Sequence, residues 1–169
     1  MDVMLSSIFE PESVAVIGAS NNETKWGGRI LKNLLSGFQG KIYPVNPKET
    51  IIQGLDSYPS VLDIPGTVEL GVIVVPSEHV HSVVEECGKK GVKGLVVISA
   101  GFSEAGNEGA ELELVSIARK YGMNMIGPNT LGIVNERVKL NASIIGKLPR
   151  PGSISFITQS GSLGLALAE

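Results

Sequence analysis

Short runs of Val, Ile and Leu alternate with longer amphipathic segments along this chain. Each run ends at Gly, Pro, Ser or Asn, which is typical of buried strands that turn abruptly into loops. The predicted strands are residues 13–17, 41–45, 70–75, 95–98 and 124–126. Between them, apolar positions recur on one face of predicted helices over residues 28–36, 78–90 and 108–121. The alternation predicts the α/β class, with a Rossmann-like, doubly wound parallel sheet of five to six strands.

The remaining segments predict the domain organisation. Residues 50–66 show no period and are expected to be irregular, with at most one helical turn. After the breaker at residues 149–152, residues 154–157 predict a further strand and residues 163–169 a helix. This tail is too short for a core of its own. We therefore expect one domain over residues 1–150 and the truncated start of a second over residues 151–169.

Composition narrows the class of protein. The chain has 169 residues, 43% of them hydrophobic and 18% charged, which favours a globular protein. A net charge of −3 and few aromatic residues argue against a nucleic-acid surface. A single cysteine, Cys87, fits a reducing compartment. No signal peptide or membrane-length apolar run is expected, so we predict a cytoplasmic protein with no membrane partner.

Polar and turn-forming residues follow all five strands. Because the carboxyl ends of parallel strands share one edge of the sheet, where ligands bind in such folds, these residues predict one crevice. After the first strand, Gly18 is followed by glycines only at positions 27 and 28, which is not the G-x-G-x-x-G spacing of dinucleotide sites. The candidate ligand-binding residues are Gly18, Ala19, Ser20, Asn21, Asn22, Lys25, Asn46, Pro47, Lys48, Val75, Pro76, Ile98, Ser99, Ala100, Asn129 and Thr130.

The end of the second strand discriminates between ligands. NAD enzymes place an acidic residue there to hold the ribose hydroxyls. This chain has Asn46-Pro47-Lys48, with Glu49 one place beyond. A lysine at this position suits a phosphorylated ribose, as in coenzyme A or NADP. The alternative is an ordinary solvated lysine.

Other reactive side chains give weaker signals. His79 and His81 lie two residues apart on a helix, hence on different faces, and no metal site is expected. Cys87 lies on an apolar stripe and is predicted to be a small buried side chain. Ser160 loosely resembles a nucleophile elbow, but no acid–base partner follows it in this sequence.

Taken together, these motifs resemble the N-terminal CoA-binding domain of NDP-forming acyl-CoA synthetases, the ADP-forming acetate–CoA ligases related to the succinyl-CoA synthetase α subunit. The matching motifs are FEPESVAVIGAS at 9–20, IYPVNPK at 42–48, VISAGF at 97–102, IGPN at 126–129 and TQSGSLG at 158–164. The resemblance implies that the five loops hold coenzyme A. The first loop and Lys48 would take its nucleotide phosphates. Residues 98–100, Asn129 and Thr130 would lie toward the pantetheine and thiol.

The resemblance also implies where the catalytic centre lies. In the family the motif Gln159-Ser160-Gly161-Ser162 opens the next domain and faces a phosphorylated histidine. That histidine is expected beyond residue 169, so the isolated chain is expected to be inactive. ATP, ADP and Mg²⁺ would bind only to absent domains or to a nucleotide-grasp partner subunit.

Three function classes stay open on the sequence. The first is the CoA-binding part of an acyl-CoA ligase, and the second is a free-standing CoA-binding or regulatory module. The third, disfavoured by the glycine spacing and by Lys48, is an NAD(P)-binding domain. An unpaired strand at residues 154–157 would leave an associating edge, so we expect the tail to dock on the first domain or to pair with a second copy.

Overall fold

Five parallel strands form the central sheet of the protein, which a computed structural model describes over residues 3–147 and 149–168. The helices and strands are α1 (Val3–Phe9), β1 (Ser13–Ile17), α2 (Trp26–Leu35), β2 (Lys41–Val45), β3 (Ile51–Ile52), β4 (Leu55–Asp56), β5 (Leu70–Ile73), α3 (Ser77–Lys90), β6 (Gly94–Val97), α4 (Glu108–Lys120), β7 (Asn124–Ile126), β8 (Gly132–Asn135), β9 (Leu140–Ser143) and α5 (Gly161–Ala168).

The strand order of the sheet is β2-β1-β5-β6-β7, with all neighbouring pairs parallel. This confirms the predicted α/β fold. The chain runs outward from β1 to β2 on one side and from β5 through β7 on the other. The order therefore reverses between β1 and β5, and in open α/β sheets the crevice at that point is where ligands bind.

Apolar side chains bury both faces of the sheet. On one face, α3 and α4 contribute Val80, Val84 and Leu114, each with no exposed surface. On the other face α2 contributes Ile30 and Leu34, also fully buried. Burial of each such side chain stabilises the fold by about 1.5–3 kcal/mol. The helices thus hold the sheet rigidly and leave its carboxyl edge to the loops.

Two hairpins and a helix depart from the sequence prediction. Residues 50–66, expected to be irregular, contain the antiparallel pair β3–β4 as well as a 3₁₀ turn at Val61–Asp63. A second antiparallel pair, β8–β9, and the short helix α1 were not predicted. The third helix, predicted over residues 78–90, begins one residue earlier at Ser77, and Pro76 occupies its N-cap position. Three of the five parallel strands end at the predicted residue, while β5 ends at Ile73, two residues early, and β6 at Val97, one residue early.

The tail also differs from its prediction. Residues 154–157 form no strand within the described range 149–168, and Ile154 and Ile157 are more than 90% exposed. A strand needs a neighbour for its backbone hydrogen bonds, and none of the described strands pairs with this segment. The predicted helix is present as α5, and Gly161 at its start lies against Leu131, with the Cβ position 3.4 Å from Leu131 Cγ.

The lengths and compositions of the described helices were compared with those of membrane-spanning helices. Over residues 3–147 and 149–168, none has both the length and the apolar character that a bilayer span requires.

Candidate functional site

Direct contacts join the first three loops at the carboxyl edge. The amides of Gly18 and Ala19 both donate to Val45 O, at 3.0 and 3.3 Å, and so tie the loop after β1 to the end of β2. The side-chain amide of Asn46 donates to Ala19 O at 2.8 Å. Gly18 adopts φ +95°, and a Cβ on it would lie 2.7 Å from Val74 O in the loop after β5. The first loop therefore sits between its two neighbours, as the strand order requires.

The other rim loops are joined in the same way. Ser99 Oγ donates to Val75 O at 2.6 Å, linking the loops after β6 and β5. The amide of Asn129 donates to Ser99 O at 2.9 Å, linking the loop after β7. Gly101 packs on Ser77, so that a Cβ there would lie 3.0 Å from the serine side chain. The structure thus brings all five predicted loops together along one edge.

Two glycines bring the start of α2 onto the first loop. A Cβ at Gly27 would lie 2.0 Å from Gly18 O, and a Cβ at Gly28 would lie 2.2 Å from Asn22 O. Both obstructing atoms are backbone, so neither could rotate away. The glycines achieve the close helix–loop approach that G-x-G-x-x-G achieves at shorter spacing. The approach leaves a helix N-terminus, favourable to anions, at the loop.

The short polar side chains of the first loop bond within the loop. Ser20 Oγ accepts from the amide of Asn22 at 3.1 Å. Asn22 Oδ1 accepts from the amide and the hydroxyl of Thr24, at 2.9 and 2.7 Å. These contacts shape the loop in the structure, and the predicted ligand contacts of Ser20 and Asn22 stay predictions.

Asn21 connects the first loop to the β3–β4 hairpin. Its side-chain amide donates to Glu49 Oε2 at 2.5 Å and to Ile51 O at 3.0 Å. Its Oδ1 accepts from the amide of Gln53 at 2.8 Å. Glu49, the acidic residue nearest the end of β2, is therefore engaged by a side chain of the first loop. Gln53 was missed as a site residue because Gln-Gly is not among the dipeptides typical of a two-residue hairpin turn.

Two exposed lysines, Lys25 and Lys48, lie at this edge. Lys25 is the N-cap residue of α2 but makes no side-chain cap bond. The amide of Lys48 donates to Asn46 Oδ1 at 2.8 Å, a turn that fixes the backbone directly after β2. Both side chains are exposed, and within residues 3–147 and 149–168 neither ammonium group forms an ion pair. Both charges therefore remain available to a ligand.

A carboxylate secures the loop after β6. Glu104 Oε1 accepts from the amides of Gly101 and Phe102, at 2.5 and 3.2 Å. These bonds, that of Gly101 foremost, hold the pKa of the Glu104 carboxyl below its usual range. The loop carrying Ser99 and Ala100 is therefore held from both ends, by Glu104 and by the bond from Ser99 to Val75 in the loop after β5.

The histidines and the cysteine lie in ordinary structural surroundings. The Nε2 atom of His81 is 2.8 Å from Ala110 O, while His79 is exposed. Cys87 is fully buried, as predicted, and burial raises the pKa of its thiol to about 12. Over the described part of the chain, no group of His, Cys, Asp and Glu residues could hold a metal ion.

The predicted tail motif lies next to the fifth loop. Ser160 Oγ accepts from the amide of Leu163 at 3.3 Å and so caps α5. Gly161 contacts Leu131, the residue that follows Thr130. Gln159, Ser160 and Ser162 are exposed. The motif therefore presents a helix start beside the loop that follows β7.

The sequence of this chain matches known CoA ligases over nearly its whole length. A profile described as "CoA binding domain" matches residues 12–136. The alpha subunit of the ADP-forming acetate–CoA ligase II of Pyrococcus furiosus is 51% identical over 166 residues, which are 97% of this chain and 36% of that protein. The ADP-forming acetate–CoA ligase of Methanocaldococcus jannaschii is 51% identical over 168 residues, 99% of this chain and 24% of that protein.

Solved structures give the same result. The chain is similar to the dinucleotide-forming acetyl-coenzyme A synthetase 1 of Ca. Korarchaeum cryptofilum in complex with phosphate and ADP, with a TM-score of 0.93 and 48% identity. The match covers 97% of this chain and 36% of that one. This chain thus spans well under half the length of the proteins that it resembles.

Proposed function

The chain belongs to the CoA-binding domain family, and we propose that it is the coenzyme A-holding part of an ADP-forming acyl-CoA ligase. Coenzyme A is the ligand of this domain. The assignment of the site rests on one observation at the end of β2. NAD sites typically have a carboxylate there, whereas this chain has the exposed lysine Lys48.

The residues at the edge fit the phosphates of coenzyme A. Lys48 contacts the phosphate on the ribose, because it lies just beyond the end of β2 and its ammonium group forms no ion pair among the described residues. The backbone amides at the start of α2, with Lys25 beside them, hold the pyrophosphate. The close approach supported by Gly27 and Gly28 leaves room for that contact.

The loops after β6 and β7 hold the other end of the ligand. Ser99 and Asn129 are bonded to each other through the backbone and lie at the far side of the crevice from Lys48 in strand order. Ile98, Ser99 and Ala100 therefore line the path of the pantetheine arm, together with Asn129 and Thr130. The thiol is delivered beside the start of α5, which contacts Leu131.

The complete enzyme interconverts acid, CoA and ATP with acyl-CoA, ADP and phosphate. We place the histidine that carries the phosphoryl group, and the sites for ATP and Mg²⁺, in other domains or in a partner subunit. The boundary between the CoA-binding domain and the next domain falls near residue 150. In this arrangement the chain binds and orients coenzyme A, and the motif Gln159-Ser160-Gly161-Ser162 at the start of α5 faces the phosphorylated histidine that another segment supplies.

A chimera tests the proposal. Residues of the Pyrococcus furiosus alpha subunit that align with this chain, 166 in all, are replaced by the corresponding residues of this chain and the subunit is assayed in its complete enzyme. We expect acyl-CoA formation from acid, CoA and ATP, while the isolated chain forms none. A matched chimera carrying Lys48→Ala should show a KM for CoA raised about tenfold with little change in kcat.

The outcomes of this assay separate the function classes. A chimera that folds and assembles but forms no acyl-CoA would overturn the ligase assignment and favour a non-catalytic CoA-binding module. If the chimera is active and Lys48→Ala leaves its KM for CoA unchanged, the ligase assignment stands but Lys48 does not belong to the site.

A further inference from the structure

The β3–β4 hairpin lies across the first loop and the start of α2. Gln53, in its turn, donates through Nε2 to Ser20 O at 3.1 Å and to Gly28 O at 2.8 Å. Its backbone amide donates to Asn21 Oδ1 at 2.8 Å. A single side chain therefore connects the carbonyl groups of the loop and of the helix that we assign to the phosphates.

The backbone at Gln53 is unfavourable for glutamine. Gln53 and Gly54 have φ of +49° and +85°, so both central residues of the two-residue turn are left-handed. Such turns prefer Asn-Gly, because asparagine tolerates this conformation better than a longer side chain. Asparagine would suit the turn but is one methylene shorter than glutamine. Glutamine is therefore less favourable for the turn than asparagine, but its longer side chain reaches both carbonyl groups. A locally unfavourable residue of this kind is typical of positions retained for function.

The surroundings of Gly28 show why the length of the Gln53 side chain matters. Gly28 is packed so closely that a Cβ there would lie 2.2 Å from Asn22 O and 3.0 Å from Ser20 O. At this close approach, Gln53 Nε2 donates to one carbonyl group of the loop and to one of the helix, so a single side chain links the two segments. Without that donor, the first loop and the helix start lose one of the contacts that fix their relative position, while the packing at Gly27 and Gly28 remains.

We propose that Gln53 is a positioning residue, which clamps the first loop to α2 and so orients the backbone amides that hold the phosphates of coenzyme A. This role rests on the proposed function of the site. Gln53 itself touches no phosphate. Its loss lowers affinity by letting the amides of the loop move apart, while the charge of Lys48 is unchanged.

The variants Gln53→Asn and Gln53→Gly test the role in the full 169-residue chain. Both suit the left-handed turn and keep the backbone bond to Asn21, so both should fold, with Tm within about 3 °C of the unmodified chain. Neither should reach Ser20 O and Gly28 O together. Calorimetric titration with CoA should show affinity lowered about tenfold. The matched control Gln39→Ala removes an exposed glutamine whose side-chain amide donates to Gly37 O, and should leave affinity unchanged.

Backbone amide NMR of the ligand-free variants provides a readout independent of CoA. We expect shifted resonances at residues 20–28 in both Gln53 variants but not in Gln39→Ala. Unmoved resonances, or unchanged CoA affinity in the folded variants, would overturn the positioning role. Failure of the unmodified chain to bind CoA would instead contradict the proposed function, and the resonances would still decide whether Gln53 orders the loop.

Discussion

Gly27→Ala is expected to destabilise the protein and to weaken coenzyme A binding more than any other single change described above. The new Cβ would lie 2.0 Å from Gly18 O and 3.3 Å from Ala19 Cα, all backbone contacts that only a displacement of the helix or the loop can relieve. Such overpacking costs about 1–3 kcal/mol, which corresponds to a Tm lowered by roughly 3–10 °C for a chain of this size. Differential scanning fluorimetry and calorimetric titration with CoA measure the two effects.

Gly109→Ala is the matched control. Gly109 lies in the first turn of α4, and nothing stands within 4 Å of its Cβ position. Alanine is the better helix former, so this variant should be as stable as the unmodified chain or more stable, by up to about 1 kcal/mol, and should bind CoA equally well. If Gly27→Ala behaved like Gly109→Ala, the helix and the first loop would not be in the close contact described.

Lys48→Ala should lower the affinity for CoA by about 5- to 30-fold, because it removes a charge-assisted contact worth ~1–2 kcal/mol. The loss should disappear when the ligand is 3′-dephospho-CoA, which lacks the ribose phosphate assigned to Lys48. Calorimetric titration of both ligands into both proteins measures the difference directly.

Lys41→Ala controls for loss of positive charge. Lys41 begins β2, while Lys48 follows its end, so the control removes an exposed lysine from the opposite edge of the sheet. We expect its affinity for both ligands to match that of the unmodified chain. Equal losses for CoA and 3′-dephospho-CoA in Lys48→Ala would show that Lys48 does not contact the ribose phosphate.

The parallel strands could be predicted from the sequence because their signal is local. The segment of β1 is a run of small and β-branched residues buried on both faces, and the structure places the strand at the predicted residues, Ser13–Ile17. Strand β2 was equally clear, and its Pro44 is tolerated because β2 lies at the edge of the sheet. Because a turn-forming residue follows each strand, the positions of the loops at the carboxyl edge could be predicted once the strands were.

The hairpins β3–β4 and β8–β9 could not be predicted from the sequence, because contacts between residues distant in sequence stabilise them. In β9 the buried positions include Asn141 and Ser143, whose hydrogen bonds replace the apolar alternation that predicts a strand. The side-chain amide of Asn33, far away in sequence, donates to Ser143 O at 2.9 Å and satisfies this buried backbone. The strand predicted at residues 154–157 was wrong for the converse reason, since apolar β-branched residues form no strand without a neighbour.

The division of roles within the first loop could not be predicted either. Ser20, Asn21 and Asn22 have the chemistry of ligand donors, and only the structure places their side chains in bonds within the loop and to the β3–β4 hairpin. The same limit applies to Lys48, since the sequence could not distinguish a solvated lysine from one that contacts a ligand. In the structure a turn with Asn46 fixes the backbone of Lys48 while its side chain is exposed, so the ligand contact of Lys48 stays a prediction.

The most direct measurement is a pair of calorimetric titrations of the unmodified chain, one with desulfo-CoA, which lacks the reactive thiol, and one with NAD. Lys48 after β2, and Glu49 engaged by Asn21, predict that desulfo-CoA binds more tightly than NAD. NAD binding that equals or exceeds that of desulfo-CoA would contradict the assignment of this crevice to coenzyme A.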